Sequence, residues 1–196
     1  MVYETVLLFG PPGAGKGTWG GLLKQMPGLF HFSSGDMFRS LDPHSKRGEM
    51  ALASIRKGEL VPDGQALMLW RERMQRLVEF GDFKPDQQTL ILDGLPRTLT
   101  QAQLADADLD VKLIMALDCP DRDLLVKRLY GRALIEHRVD DANEDIIRRR
   151  FEVYDRQTAD VLEHYPDRIV RQIDVSQPSP KILRDIGQAL VDFLHS

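Results

Sequence analysis

The sequence predicts an α/β domain: a five-stranded parallel sheet with helices on both faces. Short apolar runs alternate with longer segments of helical periodicity, which is how strand–helix–strand units read. The runs are unbroken rather than alternating, as in Leu7-Leu8-Phe9 and Leu113–Leu117, which suits strands buried on both faces. A length of 196 residues fits one compact domain.

The first strand is expected at Glu4–Gly10, ended by the turn chemistry of Gly10-Pro11-Pro12-Gly13. Trp19, Leu22, Leu23 and Met26 then recur at i, i+3, i+4 and i+7, a helical face stopped by Pro27-Gly28. A second strand is expected at Leu29–Ser33, and short helices in the polar, Gly-broken stretch to about Pro62. Asp63 can open a helix whose inner face is Leu67, Trp70, Met74, Leu77 and Val78, with Gly81 and Pro85 at its exit. Leu90–Leu92, Val111–Leu117 and Ile169–Val175 complete the strands. Helices are expected at about Asp121–Tyr130, Glu144–His164 and Pro180–His195. The last takes Ser179 as cap and Pro180 in its first turn, with a face of Ile182, Leu183, Ile186, Leu190, Phe193 and Leu194.

Composition narrows the classes of function. With 26 Lys+Arg against 30 Asp+Glu, the net charge of −4 argues against a general nucleic-acid or membrane-surface binder. The single cysteine, Cys119, excludes an internal disulfide and a Cys-cluster metal site, and suits a reducing cytoplasm. No apolar run approaches the roughly 18 residues of a membrane span, and no secretory signal is visible, so a cytoplasmic location is expected. The five histidines have no ligand spacing. Arginine outnumbers lysine, 18 to 8, which matters because the guanidinium is the better fork for phosphate and carboxylate.

Gly10-Pro11-Pro12-Gly13-Ala14-Gly15-Lys16-Gly17-Thr18 lies between a predicted strand and a predicted helix, the setting of a phosphate-binding loop. Its glycines let backbone N–H groups turn inward, and the following helix adds positive charge at its N-terminus. Lys16 supplies a mobile charge for a phosphate. Gly17 stands where the usual motif places Ser or Thr directly after the lysine.

That string resembles the nucleoside monophosphate kinases, and the adenylate kinases most closely. Further segments agree in order: Ser33–Arg39, Gly58–Asp63, Leu92–Thr98 with Gln101-Ala102, Arg128–Arg132, Arg138–Asp141, and Arg150 within RRRFEVY. The resemblance spans nearly the whole chain. It implies a P-loop NTPase-like fold with a core at 1–32, 63–127 and 139–196, a small acceptor-binding insertion at about 33–62, and a short lid at about 128–138. It implies magnesium-dependent transfer of a phosphoryl group from ATP to AMP, giving two ADP, by a monomer whose partners are these nucleotides.

Residue by residue, the resemblance assigns Gly13, Ala14, Gly15, Lys16, Gly17, Thr18, Arg128, Arg132 and Gln177 to ATP. It assigns Ser34, Arg39, Glu59, Leu60, Val61, Gly94, Arg97, Gln101, Arg138 and Arg150 to AMP. Lys16, Arg97, Arg132, Arg138 and Arg150 would be catalytic, and Asp36 and Asp93 would hold Mg²⁺ through its waters. Charge neutralisation explains the arginines, because phosphoryl transfer depends on positioning and electrostatics rather than covalent help.

Of Arg148-Arg149-Arg150, one or two can face a site, since successive helical residues point about 100° apart. Arg150 matches the family spacing to Tyr154, and Arg149 stays open because Ala142 looks like a one-residue insertion. Between 128 and 156, seven arginines meet seven acidic residues, as in a hinged, ion-paired segment. Gln101 can bond adenine's N6 and N7 edge, where the pyrimidine monophosphate kinases resemble this pattern with Asn, so it and Thr98 favour AMP; the other reading is a surface glutamine opening a helix.

Ser34, Leu95 and Trp19 depart from the family's usual Thr, Phe and Gln. Five residues, Ala133–His137, separate Arg132 from Arg138, which resembles the short-lid type without a structural zinc insertion. Two alternatives stand beside AMP phosphorylation: a kinase for UMP, CMP or another monophosphate, and a nucleotide-sensing module without catalysis.

Overall fold

The computed structural model describes residues 1–136 and 138–194. Its sheet has five parallel strands: β1 (Tyr3–Phe9), β2 (Leu29–Ser33), β3 (Thr89–Asp93), β4 (Leu109–Asp118) and β5 (Val170–Asp174), in the order β2-β3-β1-β4-β5. All five lie where the sequence places them, each boundary within two residues. Strand side chains alternate between two cores, as the pleat requires. Leu7 and Phe9 face one core with Leu90, Leu92, Leu67, Trp70 and Met74. Val6 and Leu8 face the other with Ile91, Met115, Leu125, Ile182 and Ile186.

The helices are α1 (Lys16–Leu23), α2 (Ser34–Arg39), α3 (Lys46–Arg56), α4 (Asp63–Glu79), α5 (Leu99–Ala105), α6 (Arg122–Glu136), α7 (Glu144–Val153) and α8 (Ser179–Leu194). Ser33, Ser45, Thr98 and Asn143 cap α2, α3, α5 and α7, each accepting a backbone N–H with its side chain. Leu67, Trp70, Met74 and Leu77 of α4 are buried as the periodicity predicts.

Four expectations need correction. α1 stops at Leu23, and Leu22 and Met26 are exposed. The buried stripe runs through Trp19, Gly20 and Leu23, because Gly20 lies against His31, whose ring would be 2.2 Å from a Cβ there. Leu183 of α8 is exposed, while Ile182, Ile186, Ala189 and Leu190 are buried. His195 and the side chain of Leu194 lie outside the described residues. α6 continues to Glu136, six residues past the predicted end. The helix predicted at Glu144–His164 is α-helical only to Val153, then makes a π turn over Tyr154–Thr158 and a 3-10 turn over Ala159–His164. Tertiary bonds hold that break: Thr158 Oγ1 donates to the Arg97 carbonyl at 2.9 Å, and Tyr154 lies beside Phe9.

The register sets up the site. Ser33 pairs with Asp93, and Asp93 with Leu8, so β1, β2 and β3 end at one level. The segments after them therefore meet at the carboxyl edge, where the strand order turns about β1 and where open α/β sheets bind ligands.

Candidate active site

The loop after β1 folds tightly over the sheet edge. Gly10 has φ +142°, and a Cβ there would be 2.3 Å from the Leu117 carbonyl; Gly13 has φ +82°, with the Leu125 carbonyl 2.7 Å away. Only glycine fits both positions. Lys16, the first residue of α1, bends back so that its Nζ donates to the carbonyls of Gly10 at 2.7 Å and Pro11 at 3.1 Å. Burial lowers the Lys16 pKa to about 8; Asp93 opposes that shift, and Arg97, Arg150 and Arg132 add to it.

Around this loop lies a polar cavity into which Lys16, Arg39, Arg97, Arg132, Arg138 and Arg150 converge, with Asp36 and Asp93. Six cations and two carboxylates around one space make a site for a strongly anionic group. Gly13, Gly15 and Gly17 line it too, Ala14 is buried behind it, and Thr18 is exposed. Arg97 comes from the turn after β3, where its Nε donates to the Gly94 carbonyl at 2.8 Å; burial lowers its pKa to about 10.

The other arginines rest on carboxylates. Arg132 donates to Asp141 at 2.6 Å, and Arg150 donates to Asp140 at 3.1 Å and to Asp141. Arg39 and Arg138 share Asp36 Oδ1 at 2.8 and 3.2 Å, and Arg138 also meets Glu136 at 2.5 Å. Although burial of Asp141 favours its neutral form, the two guanidiniums hold its pKa below the usual carboxylate range. Arg150 is the inward member of its run: Arg148 pairs with Glu144, and Arg149 with Glu152 and Glu59, on the exposed side.

A second, larger cavity of about 980 Å³, its open mouth included, adjoins the first and shares Lys16, Gly35, Arg39, Arg97 and Arg150 with it. Glu59, Leu60, Val61, Gly94 and Gln101 line it. Gln101 is 2% exposed, which overturns the surface-glutamine reading. Ser34 is fully buried, lines neither cavity, and has a hydroxyl without a partner among the described residues, 2.6 Å from where a Gly94 Cβ would be.

Arg128 and Gln177 are not brought into either cavity. Arg128 donates to the Val175 carbonyl at 2.8 Å, and Gln177 to Asp185 of α8. Conversely, sequence reasoning missed Phe9, Ile55, Val153, Tyr154 and Thr158 as walls of the larger cavity. It quoted Asp140 and Asp141 without giving them the arginine-holding task. Only the excess of paired charge in that segment signalled it. Burial raises the Tyr154 pKa to about 12, so its phenol stays neutral.

A family model described as adenylate kinase matches residues 8–170. The chain belongs to the adenylate kinase family. It is 36% identical over 192 residues to an adenylate kinase of Rhodopirellula baltica, covering 94% of each chain. It is 40% identical over 171 residues to one from a Synechococcus strain, covering 83% of this chain and 85% of that one. It is 36% identical over 166 residues to one from Flavobacterium psychrophilum, covering 82% and 83%. The two adjoining cavities of this adenylate kinase family member share the cations Lys16, Arg39, Arg97 and Arg150.

Among the described residues, no group of three or more His, Cys, Asp or Glu side chains could hold a metal ion. The donors present suit a cation that keeps most of its water, as Mg²⁺ does: two carboxylates, Asp36 and Asp93, at the phosphate cavity. No helix among the described residues is long and apolar enough to cross a membrane.

Proposed function

We propose that this chain catalyses reversible phosphoryl transfer from ATP to AMP, giving two ADP, and that the two cavities are its donor and acceptor sites. The observation that carries this is the sharing of Lys16, Arg39, Arg97 and Arg150 between the loop cavity and the Gln101 cavity. A sensor would need one pocket; a transferase needs two, with cations at the seam.

In this reading the backbone of residues 13–18 and Lys16 take the ATP phosphates, with Arg132 above them. Arg39, Glu59, Leu60, Val61, Gly94, Arg97 and Gln101 serve AMP, whose phosphate Arg39 and Arg97 grip; Ser34, whose buried hydroxyl lines neither cavity, must become exposed to join them. An oxygen of that phosphate attacks the terminal phosphorus of ATP, the bond to the bridging oxygen breaks, and ADP leaves. No proton need be removed, so no general base is assigned. Arg132, Arg138 and Arg150 exchange their carboxylates for the transferring group, whose charge they neutralise. Magnesium, when bound, would screen the phosphate charge, held through water by Asp93 and Asp36; the share of Asp36 requires Arg39 and Arg138 to move off its Oδ1. Arg128 and Gln177 belong to the donor base side in this scheme and must turn from Val175 and Asp185 to take part.

The insertion at 33–62 and the lid at 128–138 would close over the core and exclude water, sparing ATP from hydrolysis. His137 of that lid lies outside the described residues. We read the protein as a cytoplasmic monomer acting on free nucleotides.

The test is ADP formation with defined acceptors. Lys16→Met is expected to lower turnover by orders of magnitude while circular dichroism stays unchanged. AMP is expected to outcompete UMP and CMP. A folded Lys16→Met enzyme with near-normal turnover, or equal rates with CMP, refutes the assignment.

A further inference from the structure

The bonds around Gln101 decide which way its amide points. The backbone N–H of Arg97 donates to Gln101 Oε1 at 2.7 Å, and Gln101 Nε2 donates to Asp63 Oδ1 at 2.9 Å. A backbone N–H can only donate, and an ionised carboxylate can only accept. With the amide reversed, two donors would face each other at Arg97 and two acceptors at Asp63. Thr98 makes the arrangement consistent: its Oγ1 accepts the Gln101 backbone N–H at 3.0 Å, so its own proton goes to the same Asp63 Oδ1, also at 3.0 Å.

Each half of a side-chain amide has two hydrogen-bonding positions. One N–H of Gln101 is spent on Asp63, and one lone pair of Oε1 on Arg97. One donor and one acceptor remain, in fixed order, on a residue that lines the larger cavity. Asp63 itself does not line that cavity.

We propose that Asp63 is a specificity-determining positioning residue, which locks the amide of Gln101 so that its oxygen meets an amino group on the acceptor base and rejects a carbonyl there. This rests on the reading of Gln101 as the residue that meets the base. On its Watson–Crick edge a 6-aminopurine presents the N6 donor beside the N1 acceptor and matches the locked amide; a 6-oxopurine presents the O6 acceptor beside the N1–H donor and matches only the reversed one. An amide free to reverse turns its N–H to O6 and its oxygen to N1–H. Removing the carboxylate deletes one of the two constraints on orientation and leaves only the Arg97 N–H.

The experiment compares AMP and IMP as acceptors by kcat/KM, with thermal melts of every variant. Asp63→Ala is expected to lower the AMP-to-IMP ratio about tenfold or more, the scale of a bond to a charged group. Asp63→Asn retains an acceptor at Oδ1 for Thr98 and Gln101 and is expected to keep most of the ratio. If Asp63→Ala does not fold, Asp63→Ser, which suits a helix start but cannot reach Gln101, carries the test. A merely structural role for Asp63 would lower the melting temperature and leave the ratio unmoved, and that result overturns the proposal. Gln101→Ala separates the two levels. If it loses the preference for AMP while Asp63→Ala keeps it, the lock is wrong and the base-reading role stands. If Gln101→Ala keeps the preference, the base-reading role fails, and the lock with it.

Discussion

Lys16 shows how burial can tune a single charge. Held among the cavity arginines and bonded only to carbonyls, it has a pKa near 8, low for a lysine because its buried cation is poorly solvated. A phosphate arriving beside it reverses that penalty and raises the pKa again. ATP binding should therefore make Lys16 take up about half a proton near pH 8, where half of the free lysine is neutral, and almost none at about pH 6, where it is already charged. Calorimetry in buffers of different ionisation enthalpy reads this number directly. No uptake at the higher pH, or the same uptake in Lys16→Met, would show that another group titrates. The neighbouring Arg148–Arg150 run makes a related point: three identical side chains have three different environments, and only Arg150 faces the cavities.

At the scale of elements, α4 is the most legible part of the chain. Its stripe of Leu67, Trp70, Met74 and Leu77 has helical spacing, and each is buried against the sheet. Met74 is fully buried, so Met74→Ala should lower unfolding free energy by about 2–5 kcal/mol through lost transfer and a residual cavity. Denaturant titration checks this; a loss within experimental error would mean that α4 is not docked as described. The Glu144–His164 segment is the least legible. Its polarity pattern reads as one helix, yet a π turn interrupts it where Thr158 bonds to Arg97 and Tyr154 meets Phe9. Those partners lie about 60 residues or more away in sequence, and periodicity carries no trace of them.

Across the whole molecule, Arg39, Arg132, Arg138 and Arg150 rest on acidic partners drawn from different segments. Asp141 is fully buried and bonds both Arg132 and Arg150. Asp141→Ala leaves two guanidiniums side by side without their shared counter-ion, and should cost about 3–5 kcal/mol of stability, as breaking a buried pair does. The pH dependence has a definite sign. The folded pKa of Asp141 is depressed, so its contribution is complete above the unfolded value of about 4 and is lost as pH falls through the lower folded value. Thermal melts across that acid range should show the wild-type and Asp141→Ala curves converging; parallel curves would remove Asp141 from the network.

Local chemistry in the chain was enough for the strands, the glycine-rich loop and most of α4, because strand burial, φ > 0 turns and helical stripes are short-range demands on residue type. Lys16 followed from the chemistry of the loop itself, whereas Arg97 and Gln101 were named through the family resemblance; all three line the cavities. Tertiary structure alone decided which arginine of a run faces inward, that Arg128 and Gln177 turn elsewhere, that Asp140 and Asp141 hold the arginines, and that Asp63 orients Gln101. Each of these is a pairing of polar groups distant in sequence or on different faces of a turn. A hydrogen bond depends on direction and on tenths of an ångström, and only the packed fold supplies either.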